Sequence, residues 1–283
     1  MSLNHLLPLL QSPDDGTPIG EDLRSENGIQ YSMTDSGILM LDREDSKRPL
    51  DIVYEHPMFK KWEAVIEDRI KYYTKKSTVA GRAANLSYRS IDHFNQRKKG
   101  EFLLDIGCGD GSELERLTDR STYIGIDRNL KRLEILKANY PEATAIYADA
   151  TKLPFRDNAI KYIYSSNCFE HLWYLKEVVL ECYRIMPEDG EAKVVVPTEG
   201  GLWNLGRKLF SKPRFQKKYP EIDFETISHI EHCNEASQIK RTLETFFETS
   251  STYLPSRIPS IYTNALLEVR CRHHRDPNKR FTL

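Results

Sequence analysis

Apolar positions divide the chain into stretches of different period. Between Glu55 and Gln96, Phe59, Trp62, Val65, Ile66, Ile70 and Tyr73 recur at three- and four-residue steps, and Ala83, Leu86, Ile91 and Phe94 follow less regularly. That pattern predicts two helices leading into a core. From Glu101 onward the apolar runs shorten to Phe102–Ile106, Tyr123–Ile126, Ala145–Ala148, Ile160–Tyr164 and Lys193–Val196, separated by segments long enough for helices. Strands alternating with helical stretches predict a parallel, doubly wound α/β sheet. Phe246–Leu254 and Ala265–Arg272 are also strand-like, and the Pro-containing connection between them predicts an antiparallel edge hairpin. Ahead of the helices, Ser12-Pro13-Asp14-Asp15-Gly16, Asn27-Gly28 and Asp35-Ser36-Gly37 punctuate Leu and Ile pairs, the signature of small hairpins. The expected division is a small β-rich module over 1–48, a helical lead-in over 49–99, and an α/β domain over 100–283 with an insertion at 200–220.

Composition narrows the class. Charged residues make up 29% of the 283 and the hydrophobic set 39%, values of a soluble globular protein. No apolar run approaches the roughly 18 residues of a membrane-spanning helix, and no basic segment followed by a long apolar one opens the chain, so a cytoplasmic location is expected. Five cysteines, Cys108, Cys168, Cys182, Cys233 and Cys271, stand singly with no CxxC pair, which argues against a disulfide framework and a thiolate zinc site. A net charge of −1 supplies no global basic field for a phosphate backbone, which disfavours nucleic acid as a partner.

The chemistry concentrates in Leu103-Leu104-Asp105-Ile106-Gly107-Cys108-Gly109-Asp110-Gly111-Ser112, a buried-type strand entering a glycine turn, with a helix expected over Glu113–Leu117. A ligand approaches a backbone this closely only where no Cβ intervenes and positive φ is allowed, and a helix start offers free amides. A nicotinamide or flavin fingerprint places its third glycine at position 112, which here is Ser112; the turn reads GxGxG. NAD is therefore not the expected ligand. Tyr123-Ile124-Gly125-Ile126-Asp127 ends a second strand with a carboxylate, placed to accept both hydroxyls of a ribose, and Tyr147-Ala148-Asp149-Ala150 ends a third.

With these strand ends in register, the sequence resembles the class I S-adenosylmethionine-dependent methyltransferases, whose first motif is an acidic residue followed by GxGxG. The resemblance continues through Leu153-Pro154-Phe155, Ile160–Ser165, the Glu-His-Leu segment in Asn167-Cys168-Phe169-Glu170-His171-Leu172, and Arg184–Gly190 in place of an Arg-x-Leu-Lys-Pro-Gly-Gly turn with its first glycine replaced. It is close over Gly100–Val196, looser to Arg272, and nearest to the broad group of ubiquinone and menaquinone biosynthesis methyltransferases. It implies a Rossmann-like seven-stranded sheet, mostly parallel with an antiparallel C-terminal edge strand, and S-adenosylmethionine as cofactor with S-adenosylhomocysteine as product. The implied cofactor residues are Asp105, Gly107, Cys108, Gly109, Gly111, Asp127, Arg128, Asp149, Ala150 and Asn167, with Asp127 on the ribose and Asp149 on the adenine amino group. Asp105 either orients the methionine amine or hydrogen-bonds the glycine turn.

At the N-terminus, Ser12-Pro13, Gly16, Gly28, Tyr31 and Asp35 are similar to the skeleton of zinc-ribbon modules fused to or partnered with methyltransferases. Ser12, Arg24 and Asn27 stand about where thiolates would be, so a metal-free descendant is expected. Methyl transfer needs an aligned nucleophile and, for a hydroxyl, a base. His171 at the end of the fourth strand and His232 in His229-Ile230-Glu231-His232 are the catalytic candidates; His171 also reads as a packing or capping histidine, and the HxxH as a metal pair or a helix cap. The insertion carries six cations, Arg207 among them, with Trp203, Leu209, Phe210 and Phe215, and is either a lid over the acceptor, with Trp203, Arg207 and Phe210 as its lid residues and a peripheral membrane surface as one place to rest, or a solvated basic surface helix. The expected activity is methyl transfer to a small-molecule, glycan or lipid-linked acceptor. An RNA methyltransferase and a non-catalytic S-adenosylmethionine-binding partner protein are the alternatives.

Overall fold

One mixed sheet organises the protein in the computed structural model, which describes residues 3–42, 52–53, 55–63, 65, 86–198, 209, 212–257, 264–274 and 276. Its strands are β1 (Ser32–Met33), β2 (Ile38–Met40), β3 (Leu103–Ile106), β4 (Tyr123–Asp127), β5 (Thr144–Tyr147), β6 (Tyr162–Ser166), β7 (Glu191–Pro197), β8 (Glu248–Leu254) and β9 (Leu266–Arg272). They lie in the order β1-β2-β5-β4-β3-β6-β7-β9-β8. Among the described residues, the labelled helices are α1 (Leu3–Leu6), α2 (Leu130–Asn139), α3 (Leu175–Ile185), α4 (Lys212–Lys218), α5 (Phe224–Glu231) and α6 (Ala236–Phe246), beside a further helical stretch at 57–63. None of the described helices is long and apolar enough to cross a membrane.

Strands β2 to β7 run parallel, and their residues are buried on both faces, as the near-continuous apolar runs require. The expected C-terminal hairpin is present: β8 and β9 pair antiparallel over seven residues, and β9 pairs antiparallel with β7. The strand count differs from the expected seven. The additional two come from the N-terminal segment, because β2 lies parallel to β5 with Ile38 opposite Ala145 and Met40 opposite Tyr147, and β1 folds back on it. Covering the edge of β5 satisfies amides that would otherwise face solvent. The segment also shares the main core, since Leu6, Leu10, Ile19, Tyr31, Leu39 and Leu41 pack with Ile146, Phe155 and Ile160. Each of its three expected turns has its glycine, Gly16, Gly28 or Gly37, at positive φ. At two of the positions where a zinc ribbon would place thiolates, Ser12 Oγ lies 2.8 Å from Tyr31 Oη and accepts from Asp15 N, and Arg24 Nε donates to Gln30 Oε1.

A second difference follows the glycine turn. The helix expected over Glu113–Leu117 is a single 3-10 turn, Leu114–Arg116. Asn95 ends it: its side chain donates to Arg116 O at 2.9 Å and accepts from Thr118 N at 2.8 Å, occupying the groups that a continuing helix would pair. Of the expected lead-in helices, the first is helical at 57–63, whereas the second reaches the core as the 3-10 segment Arg89–Gln96; residues 66–85 lie outside the described residues. Above the carboxyl edge of the sheet, Trp62, Phe215, Ile222, Phe224 and Ile227 form a separate small core that joins 57–63 to α4 and α5 as a cap.

Candidate cofactor and acceptor site

The glycine turn is bound to the strand beside it. The amides of Gly107 and Cys108 both donate to Ile126 O, at 2.8 and 3.1 Å, so the turn lies across the end of β4. Gly107 has φ of +74°, and a Cβ there would sit 2.3 Å from Cys168 Sγ, a contact no side chain tolerates. A Cβ on Gly125 would meet Cys108 Sγ at 2.7 Å, so the glycine of β4 makes room for the cysteine of the turn.

Asp127, at the carboxyl end of β4, accepts from Gly109 N at 2.9 Å through one oxygen and from Asn129 N at 2.7 Å through the other. Each oxygen keeps a lone pair for a ligand hydroxyl. Burial raises the carboxyl above its usual range, and the amides of Asn129 and Gly109 oppose that shift. The next residue, Arg128, lies 3.7 Å from Asp149 at the end of β5 and 3.4 Å from Asp42 just beyond β2. Asp149 also accepts from Thr151 N and Oγ1, both at 2.8 Å, and Ala150 packs half-buried against the core. Asn167, at φ of +52°, donates its amide to Val195 O and its side chain to Ser87 and Ser166.

Asp105 lies beneath the turn, 4% exposed, and accepts from Tyr123 Oη at 2.7 Å. Burial and then the charge of Glu113 push its carboxyl well above the usual range. Sequence reasoning missed Glu113 itself. It accepts from Tyr164 Oη, and burial pushes it up to about 7.

A cavity of about 340 Å³ opens between this wall and the cap. Asp127, Arg128, Asn129 and Arg132 line one side; Phe59, His171, Ile230 and Glu231 line the other. His171 and His232, 61 positions apart in the sequence, meet edge to face with ring centroids 4.8 Å apart. Asn234 holds this meeting together: its side chain donates to Phe169 O at 3.1 Å and Leu172 O at 2.6 Å, and its amide donates to Glu170 O. Trp62 Nε1 donates to Glu231, which ties the cap to the same place. Among the described residues no group of three or more His, Cys, Asp or Glu is placed to hold a metal ion. Of the insertion, Trp203, Arg207 and Phe210 lie outside the described residues; Phe215 is buried against Trp62, Tyr219 and Phe224 in the cap core. Phe59, Arg132, Glu231 and Asn234 carried no sequence signal beyond proximity to an amphipathic helix, Asp127 or the HxxH.

A carboxylate fixed by backbone amides beside the glycine turn is a donor set that fits a nucleoside cofactor. Residues 104–193 match the family model described as a methyltransferase domain. A probable S-adenosylmethionine-dependent methyltransferase of Mycolicibacterium smegmatis is 26% identical over 117 residues, 41% of this chain and 44% of that protein. An uncharacterized protein of Methanocaldococcus jannaschii is 34% identical over 97 residues, 33% of this chain and 36% of that protein. The matched stretch thus spans less than half the length of these relatives. An S-adenosylmethionine-dependent methyltransferase structure from Thermotoga maritima shares the fold with a TM-score of 0.50 at 16% identity, over 76% of this chain and 99% of that one. Residues 104–193 are thus similar to a methyltransferase domain, the sheet has a Rossmann-like fold, and S-adenosylmethionine is the cofactor that these likenesses support.

Proposed function

We propose that this chain transfers the methyl group of S-adenosylmethionine to a compact nucleophile, a small molecule or the end of a glycan or lipid-linked chain, with His171 taking the acceptor's proton. The observation that carries this reading is that His171 lines the same cavity as Asp127, so a base faces the space beside the ribose carboxylate. When bound, the cofactor supplies a methyl carbon already activated by sulfonium. The chain then has to align the acceptor and accept a proton. His171 Nδ1 lies 2.5 Å from Glu231 O, which only accepts, so Nδ1 carries the hydrogen and Nε2 presents a lone pair. Glu170 Oε1, 3.8 Å from Nε2, stabilises the imidazolium once the proton arrives. Phe59 and Ile230 supply apolar surface for the acceptor, and the net charge of −1 argues against an RNA backbone.

The test is incubation of the full chain with methyl-labelled cofactor and separate metabolite, lipid and RNA fractions. Label in the metabolite or lipid fraction is expected. Label only in RNA, or cofactor binding without release of S-adenosylhomocysteine in any fraction, overturns the proposal. With the acceptor in hand, His171→Asn is expected to slow turnover by about 10²- to 10⁴-fold while cofactor affinity stays within a few fold.

A further inference from the structure

The cap is apolar within and cationic without. Its helical stretch 57–63 sets Phe59 on the cleft and buries Trp62, while Lys60 and Lys61 between them are exposed. Helix α4 buries Phe215, edge to face against Trp62 with ring centroids 5.9 Å apart, and carries Lys212, Arg214, Lys217 and Lys218 with no carboxylate. Arg214, Lys217 and Lys218, at i, i+3 and i+4, share one exposed face. The acids nearby sit outside α4: Glu63 follows Trp62, Glu221 and Asp223 precede α5, and Glu225 holds Lys212 at 2.6 Å; Asp223 is taken up in capping α5 through Thr226 N. Two apolar side chains stand at the entry to the same elements. Among the described residues the two most exposed large hydrophobics are Ile52, 68% exposed and five residues ahead of 57–63, and Leu209, 59% exposed and three residues ahead of α4.

Cations beside exposed aliphatic side chains are complementary to an anionic bilayer, whose headgroups take the charges and whose acyl boundary takes the apolar groups. Single-stranded nucleic acid would call for exposed aromatic rings, and the cap turns its rings inward, with Trp62, Phe215 and Phe224 buried. The net charge of −1 gives the whole chain no attraction to such a surface, so the attraction has to be local. We propose that the outer face of the cap rests on an anionic lipid surface through Lys60, Lys61, Arg214 and Lys217, with Leu209 entering the headgroup layer, and that the acceptor is the end of a lipid-linked chain held there. The acceptor half rests on the methyl transfer proposed above; vesicle binding tests the surface half without it.

The experiment is co-sedimentation of the full chain with phosphatidylcholine vesicles, with and without phosphatidylserine, at low and at physiological salt. Binding is expected only with phosphatidylserine and should weaken as salt rises. Arg214→Gln combined with Lys217→Gln should lower the partition coefficient about fivefold for each cation removed, and Leu209→Ser about three- to tenfold. Lys98→Gln combined with Lys99→Gln, two exposed cations ahead of β3 at the opposite edge of the sheet, should leave it unchanged. All these side chains are exposed, so the melting temperature should hold in every variant and a loss of binding reads as a loss of contact. Equal binding to the two kinds of vesicle, native binding by the Arg214 and Lys217 double variant, or salt-dependent capture of RNA where the vesicles are ignored overturns the lipid surface. Methyl label confined to the metabolite fraction overturns the lipid-linked acceptor and leaves methyl transfer standing. No label in any fraction, with vesicle binding intact, overturns methyl transfer and leaves the surface standing.

Discussion

The wall of the cleft that carries Asp127 and the wall that carries His171 are held by different means. On the first, Gly107, Gly109, Asp127 and Asp149 fall within one run of strands, and the register Ile106 to Ile126 and Asp127 to Tyr147 places them. Backbone amides do the fixing, as at Asp127 and across the turn. On the second, groups arrive from 57–63, 169–173 and 224–234, and side chains join them: Asn234 to the carbonyls of Phe169 and Leu172, Trp62 to Glu231. A wall set by strand register keeps its geometry through many side-chain changes. A wall set by side-chain hydrogen bonds is free to diverge, which suits the half that we propose faces the acceptor.

The comparison breaks most sharply at the turn. Gly107→Ala adds a Cβ at 2.3 Å from Cys168 Sγ and 2.6 Å from its Cβ, in a backbone conformation unfavourable to alanine. Crowding and positive φ together are expected to cost about 2–4 kcal/mol of stability and to abolish cofactor binding. Urea unfolding with a calorimetric titration measures both; a variant that unfolds and binds like the native chain would show that the turn is not fixed by close packing. Asp127→Ala touches the same wall without crowding it. It should weaken cofactor binding by about 1.5–3 kcal/mol for each charge-assisted hydrogen bond lost, with the unfolding midpoint nearly unchanged. Equal affinity with and without the carboxylate contradicts its ribose role.

These two walls were unequally legible in the sequence for the same reason that they are built differently. Asp127 and Asp149 were readable because a buried strand ends where its apolar run ends, and parallel strands place their ends along one edge. The glycine turn was readable because each glycine answers a local constraint. The truncated helix at Leu114–Arg116 was not, since Asn95, which stops it, sits on a separate segment. Nor was the pairing of β2 with β5: an apolar triplet between turns looks the same in a free hairpin as on a sheet edge, so the N-terminal segment read as a separate unit and the sheet as seven-stranded. His171 and His232 were each found by local pattern, but their meeting depends on Asn234, which has no local signature.

Asn234→Ala tests the second wall. It leaves the carbonyls of Phe169 and Leu172 without their buried donor, and about 1–3 kcal/mol of stability is expected to be lost. Cofactor affinity should stay within a few fold, because none of the groups on the Asp127 wall rests on Asn234. Turnover with the true acceptor should fall more than stability alone explains, as His171 loses its fixed position. If cofactor binding falls in parallel with turnover, the two walls are mechanically one.

The last expected effect lies beneath the first wall, at Glu113, and it is a slope with pH rather than a step. Burial pushes this carboxyl up from the usual 4.5 to about 7, despite the hydrogen bond from Tyr164 Oη that favours the charged form. The folded chain therefore holds the proton more tightly than the unfolded chain does. Stability from this group is greatest below about 4.5, declines as pH rises toward about 7, and is level above it, the reverse of a carboxylate in a favourable ion pair. Glu113→Gln removes the titration and keeps an oxygen to accept from Tyr164. Relative to the native chain, the variant should gain melting temperature steadily between pH 4.5 and 7 and hold that gain at pH 8. Parallel melting curves across the range would mean that Glu113 is solvated in the folded protein, and that the cofactor wall is less tightly buried at its base than its packing against Tyr164 implies.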